Sequence, residues 1–521
     1  MPFATYASTF YRFKYFLSYL KRREPQIVAD VPHRLSPGRP LPVLVIFRNA
    51  DHYPAYIEQI EVFIDGQSFK TERLNLDLKD SYEEKLLHLD RSRIKDGLHK
   101  IDIAITYFIG ETKKRCINDN YRGTKKEPFP CYFSSYPLPR LEGFYHGDCH
   151  SHSVFTDDQI EFGASLIAGK AMADVLGLDF FCVTDHSYDL DNFPDDFLHN
   201  DPELQNWQRF QRESAALNKL TGCLIVPGEE VSVRNGKDEN VHLLVFSEKH
   251  YFPGSGDSGG HWFHFRSELG IDDVCKRAGA DSVIFAAHPA EKAPALQQLL
   301  LNRGDWQTDD VCPAMTGVQV FNGHGSGHLP AAIHFWTKLL LKGRRVFALA
   351  GNDAHGNFGR NRYISLPFLK ITESYNQLFG QWRTDIRLEK KPTAVSEIIK
   401  ALRSGRYSLG NGPTLEICVR DRQGTVHFMG GHTEQAEHLS LTIKSSPEFG
   451  ALESWTLFYG DLSAGREIIL QKKKSLPPQQ FETFIDYSID VNMKPGYVRA
   501  EATSRVDQIP YFTFSNPIWI G

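Results

Sequence analysis

Between residues 143 and 356 the chain repeats one unit, a short apolar run that ends in a histidine, an acid or an asparagine, followed in most cases by a stretch with helical periodicity. The runs are "GFYHGDCHSH", "DFFCVTDH", "CLIVPGEEVS", "SVIFAAHP", "TGVQVFNG" and "RVFALAGNDAH", with "VHLLVF" in their midst. Helical stretches such as "GASLIAGKAMADVLGL", "PELQNWQRFQRESAALNKLTG" and "AAIHFWTKLLLKG" separate them. A run too short for a buried helix and bounded by turn residues reads as a strand covered on both faces. A helix between two such strands returns the chain for a parallel pairing. Strand and helix alternate about seven times and end with "TAVSEIIKALRSG", so the expected class is α/β, most simply an α/β barrel over 143–410.

The flanks read differently. "LPVLVIFRN", "YIEQIEVFIDGQSF" and "HKIDIAITYFIG" alternate in period two between turns, the pattern of a β-sandwich, assigned to 36–140. "SSYPLPRLEG" is a linker into the central unit. Alternation returns in "LEICVRD", "LSLTIKSS", "SWTLFYGD" and "YFTFSNPIWIG", which places a second, smaller sandwich at 412–521. Residues 1–35 form a separate segment whose aromatic and basic residues suit an amphipathic docking helix. It lacks the apolar core and small-residue cleavage site of a secretion signal, so the expected setting is cytoplasmic. No apolar run reaches the roughly 18 residues of a membrane-spanning helix. A net charge of -5 gives no basic field for nucleic acid, and eight scattered cysteines fit reduced thiols. The glycine-rich "FPGSGDSGGHWFHF", 252–265, has the length and composition of a lid.

Position along the strands carries the chemistry. In an α/β barrel the loops after the strands converge on one mouth. His150 and His152, Asp185 and His186, Glu229 and Glu230, His288, Asn322, and Asp353 with His355 all close apolar runs, and His242 opens one. Residues i and i+2 of a strand share a face, so His150 with His152, and Asp353 with His355, are two-pronged clamps. Imidazole combined with carboxylate suits zinc, manganese or iron better than calcium or magnesium. Asp185 and Asn322 fit a second layer that orients ligands. Cys149 points to the opposite face from the clamp and belongs to the packing. The chain contains no dinucleotide-binding GxGxxG after a strand, no phosphate-binding GxxxxGK[ST] and no GxSxG elbow.

The set "HGDCHSHSVFTDD", "VTDHS", "PGEEVS", "AAHP" and "GNDAH" resembles the polymerase and histidinol phosphatase (PHP) superfamily over about 143–410. The flanks, with "LRSGRYSLGNGP" and "SNPIWIG", resemble the larger carbaryl-hydrolase-type PHP metallohydrolases. The resemblance implies a distorted seven-stranded (β/α) barrel flanked by two β-sandwiches, holding two or three divalent ions (Zn, Mn or Fe). It implies one site from His150, His152, Glu230 and Asp353, a second sharing Glu230 with His242 and His288, and a third from Asp157, His186 and His355. The family motif places one residue between glycine and glutamate, which favours Glu230 over Glu229; "TDD" replaces the family's "SDG" at Asp157. Asp353, His355, His186 and Glu230 are the implied catalytic groups. The implied activity is metal-dependent hydrolysis of a small-molecule phosphoester, with a carboxylic or carbamic ester as the variant. A non-catalytic binding protein is the alternative from another class. His324, Arg360 and Arg362 lie where they could meet substrate, and an oligomer is compatible with the chain.

Overall fold

The computed structural model describes residues 24–521 apart from 121–125, 157–161, 195, 247–249, 257–265, 280–281, 294–297, 300, 324–327, 361–362, 367–368, 373–376 and 490–493. Most of the segment read as a docking helix, most of the glycine-rich loop, and Asp157, His324 and Arg362 therefore lie outside the described residues. No helix among the described residues is long and apolar enough to cross a membrane.

In the N-terminal part, Gln26–Asp30 pairs with Leu41–Arg48, which pairs with Tyr82–Leu89. A second sheet runs Arg34–Leu35, Phe129–Phe133, Gly97–Ile109, Ala55–Ile64, Gln67–Leu78, with Thr112–Ile117 on Gly97–Ile109. Val43, Val45 and Phe47 of the first sheet share one core with Ile57, Ile60, Ile101 and Ile103 of the second. In Ala55–Ile64 of the second sheet, buried residues alternate with half-buried ones, as expected of a pleated surface with one wet side, whereas Leu44 and Ile46 on the other face of Leu41–Arg48 are buried in a further core with Leu166 and Met172.

The α/β barrel expected over 143–410 does not form. Strand accounts for 47% of the described residues and helix for 14%, in six helices, too few to give every strand its own crossover. The strands divide between two sheets. Leu224–Pro227, Phe180–Val183 and Phe144–His152 lie parallel at one end of a 12-stranded sheet. That sheet continues antiparallel through Arg383–Arg387 and Tyr407–Gly410 into Ile509–Ser515, Gly496–Val506, Ala451–Asp461 and Arg466–Lys474. A separate five-stranded sheet runs Glu229–Arg234, Asn240–Phe246, Val283–Ala286, Gly317–Asn322, Phe347–Gly351, and its first two junctions are antiparallel. The connections explain the difference. Only residues 235–239 join Glu229–Arg234 to Asn240–Phe246, enough for a hairpin and too few for a helical crossover, which takes a dozen or more residues. An apolar run buried on both faces reads the same in either direction.

The C-terminal strands Thr414–Asp421, Ala436–Lys444 and Glu482–Ser488 form another sheet, which also includes Val426–Phe428. Leu415, Ile417, Leu439 and Leu441 of that sheet pack with Trp455, Leu457, Val498 and Ala500 of the 12-stranded sheet.

The N-terminal sheets grip the loop that follows His355. Asp30 accepts from the backbone N–H of Phe358 at 2.9 Å and of Gly359 at 3.0 Å, and the His33 Nε2–H donates to the Phe379 carbonyl at 3.2 Å. Arg34 forms a buried ion pair with Glu448 at 2.7 Å, tying the same segment to the C-terminal part.

Candidate metal centre

Where the two central sheets meet, Glu230 lies at the middle of a ring of imidazoles. Its Oε2 is 3.3 Å from His150 Nε2, His152 Nε2 and His186 Nδ1. Its Oε1 is 2.6 Å from His242 Nδ1 and 3.1 Å from His288 Nε2. Asp353 Oδ1 completes the group, 3.0 Å from His152 Nε2 and 3.3 Å from His150 Nε2. His355 stacks on His152 with ring centroids 4.0 Å apart and planes 7° from parallel. His150, His152 and Glu230 are buried, while Asp353, His288 and His355 are partly open, so the cluster is approached from their side.

Local structure explains each placement. His150 and His152 share a face of Phe144–His152 because they are two residues apart. Glu230 opposes Leu244 and Ser232 opposes His242, so Glu230 and His242 are diagonal neighbours on one face of the hairpin. His186 bridges to Glu230 across the junction of the two sheets. Asp353 follows a turn in which the backbone N–H groups of Asn352 and Asp353 both donate to the His150 carbonyl, at 3.2 and 2.8 Å. A Cβ on Gly351 would lie 2.5 Å from that of His150, so only glycine lets the two strands come this close. Asp353 and His288 have left-handed backbone, with φ of 53° and 33°, a conformation that costs free energy and is held where the surroundings overdetermine it.

A second layer sets which ring nitrogen carries a proton. His150 Nδ1–H donates to Gln319 Oε1 at 2.9 Å. His152 Nδ1–H donates to Thr156 Oγ1 at 3.1 Å, and the Thr156 hydroxyl passes its own proton toward Asp185 Oδ1 at 2.9 Å. Both Nε2 atoms are thereby aimed at the carboxylates, only 3.2 Å from each other. Burial pulls both imidazoles down, but Asp353 and Glu230 outweigh it and raise them to about 9. Burial likewise works against the charge on Glu230, and the surrounding histidines, His242 first, overcome it and hold the carboxyl well below its usual range. Asn322 Nδ2 and Gln377 Nε2 donate to the outer oxygen of Asp353 at 3.3 and 3.1 Å. Arg303 reaches His242 Nε2 with one guanidinium nitrogen at 2.7 Å.

Among the described residues, three groups of side chains could hold a metal ion: His150, His152, Glu230 and Asp353; His186, Glu230 and His242; and His152, His186 and His355. The donor chemistry fits such an ion. Two nitrogens whose rings already donate through Nδ1 turn their remaining positions onto two carboxylates, an arrangement that needs a cation or additional protons between the groups. His288 meets the cluster through Glu230 and stacks on His150, with ring centroids 5.9 Å apart.

Other expected residues lie elsewhere. Glu229 points away from the ring and accepts from Trp207 Nε1 at 2.9 Å, the Phe252 N–H at 3.1 Å and Ser187 Oγ at 3.2 Å; burial pushes it up to about 8. Arg360, expected at the mouth to meet substrate, is buried, with its guanidinium on Asn357 Oδ1 and the His355 carbonyl, and it holds the loop that Asp30 grips. Gln319, Thr156, Gln377 and Arg303 escaped the sequence reading. Gln319 had a signal, an amide inside the otherwise apolar "VQVF". A small cleft lined by His288, Glu291, Asn322, Phe321 and Trp382 adjoins the cluster.

No family model and no curated protein matches this chain. Among solved structures, a Paenibacillus sp. cycloisomaltooligosaccharide glucanotransferase, complexed with cycloisomaltoheptaose, is 11% identical over 94% of this chain and 71% of its own, with a TM-score of 0.17. Bacteroides uniformis beta-glucuronidase 3 is 8% identical over 95% of this chain and 63% of its own, and the Parabacteroides merdae beta-glucuronidase 9% over 95% and 65%, each with a TM-score of 0.17. Neither fold nor activity transfers at such scores.

Proposed function

We propose that this chain is a metal-dependent hydrolase whose substrate is a small phosphoester, acting in the manner of the PHP enzymes whose motif order it resembles. One observation carries the reading: the Glu230 carboxylate is faced by five imidazoles and shares two of them with Asp353. Two or three ions of zinc, manganese or iron are the reading for the three donor groups, with Glu230 common to two of them. Such ions, when bound, supply Lewis acidity that lowers the pKa of water and offsets charge on substrate oxygens.

The chain's own residues do the rest. Gln319, and Thr156 with Asp185, keep His150 and His152 in the tautomer that directs Nε2 inward, which preorganises the donors. Asn322 and Gln377 hold Asp353 against rotation. Arg303 adds a fixed positive charge beside His242, suited to an anionic substrate such as a phosphoester. His355, at the partly open side, and the buried His186 beside it, with ring centroids 5.9 Å apart, are the imidazoles placed to exchange a proton with a leaving group whenever they are not ligands.

The test is turnover of a phosphomonoester, a phosphodiester and a naphthyl carbamate by manganese- or zinc-reconstituted protein, beside Asp353→Ala. Hydrolysis of a phosphoester that the variant lacks supports the reading. Hydrolysis of the carbamate alone moves the substrate to carbamic esters, and silence on all three with metal bound leaves a binding protein.

A further inference from the structure

Two thiols lie face to face away from the cluster. Cys275, on helix Ile271–Ala278, and Cys312, shortly before strand Gly317–Asn322, have their sulfurs 3.1 Å apart, near enough for one S–H to donate to the other. Both are half-buried and within reach of a small molecule. The Cys149 and Cys182 thiols also interact, but both are sealed in the core. Between Cys275 and Cys312 the chain carries His288 and Arg303 to Glu230 and His242, and just beyond it carries Gln319 and Asn322.

We propose that Cys275 and Cys312 are a disulfide-forming pair, a modification site for a small-molecule disulfide such as oxidised glutathione, and that the bond braces the segment bearing His288 and Arg303. Cys312 is the attacking sulfur. The Cys275 S–H beside it, followed by the backbone N–H groups of Ala314 and Met315, outweighs burial and brings Cys312 down to about 6. Its thiolate attacks one sulfur of the oxidant, forming a mixed disulfide and releasing one glutathione thiolate. Cys275 then gives up its proton and attacks the Cys312 sulfur, releasing the second glutathione. Two protein thiols lose two electrons and two protons, and one oxidised glutathione becomes two thiols. The device is independent of the reaction that the cluster performs.

The test uses the reduced full-length chain, treated with oxidised glutathione and mapped by mass spectrometry without reduction. The expected product is lighter by two hydrogens, contains one peptide joining Cys275 to Cys312, reverts with dithiothreitol, and melts at a higher temperature than the reduced protein. Cys275→Ser should leave Cys312 as a glutathione adduct with no cross-link and no such rise. Cys312→Ala should give neither adduct nor cross-link there. Cys275 and Cys312 that both remain alkylatable after oxidation, or that join other cysteines, overturn the assignment. Equal melting of oxidised and reduced protein overturns the bracing.

Discussion

The second N-terminal sheet and the central sheets are built from similar apolar strands, yet only the first can be read residue by residue; Leu41–Arg48, in the N-terminal sheet that backs onto the centre, is buried throughout like the central strands. Ala55–Ile64 alternates between buried and half-buried positions because one face meets the core and the other meets solvent. Asn240–Phe246 and Phe347–Gly351 are buried at every position. Where water touches one face, selection on that face writes direction and register into the sequence. Where both faces are covered the alternation disappears, and a histidine or glutamine inside such a strand stands out by chemistry instead. The same contrast separates tolerance from function, since a buried polar group must be partnered and a surface group need not be.

The contrast is sharpest at the two adjacent glutamates of the centre. Glu230→Gln should weaken metal binding by more than about 100-fold, beyond the loss typical of outer partners, whereas Glu229→Gln should stay within a few-fold; metal titration followed by elemental analysis decides. The reverse outcome would mean that the inward glutamate has been misidentified. Next, Gly351→Ala should cost up to about 3 kcal/mol, because its Cβ would meet His150 at 2.5 Å. Gly66→Ala, on the N-terminal hairpin with φ +78° and open space around it, should cost about 1 kcal/mol through backbone conformation alone. Equal losses in urea unfolding would erase the contrast between packed and wet sheets.

A smaller effect lies at the grip between the two regions. Burial lowers His33 to about 4, so the unfolded chain, near 6.5, takes up the proton first. Stability from this group therefore falls as pH drops from about 6.5 to about 4. Burial raises Asp30 to about 6 against 3.8, so the folded state keeps a proton that the unfolded chain has lost, and stability from this group rises as pH drops through that window. Each slope is at most about 1.4 kcal/mol per pH unit, and they oppose. Asp30→Asn should leave His33 uncompensated, giving a steeper loss of stability on acidification than in the wild type. Parallel curves for the two proteins would show that the Asp30 carboxyl is not held above its usual range. The smallest effect is expected on the wet face of the N-terminal sheet, where Thr71→Ala should change stability by less than about 0.5 kcal/mol.

Part of the candidate centre was legible and part was not, for reasons visible at particular residues. His150, His152, Glu230 and Asp353 could be picked out because ligand chemistry demands imidazole and carboxylate, and because each stands at or near the edge of an apolar run. Arg303 could not, since "LLLNRGDW" reads as a solvated loop until Asn302 and Gly304 are seen bonding the Asn240 backbone and laying Arg303 beside His242. Arg360 erred in the other direction. It follows the last clamp closely in sequence, but Asp30 and Asn357 bury it under the loop. The barrel expectation failed at the short connection 235–239, which turned a supposed parallel step into a hairpin.

Read alone, the sequence marked His150, His152, Glu230 and Asp353 as side chains that gather, and it marked the alternation of the outer flanking strands, because side-chain chemistry and one-sided solvent exposure act residue by residue. Tertiary structure alone decided strand direction in the centre, the union of the central and C-terminal strands in one 12-stranded sheet, and the placing of Arg303 beside His242 and of Arg360 under the loop. Those outcomes depend on pairings between segments far apart in the chain, and a strand buried on both faces carries no local mark of its partner.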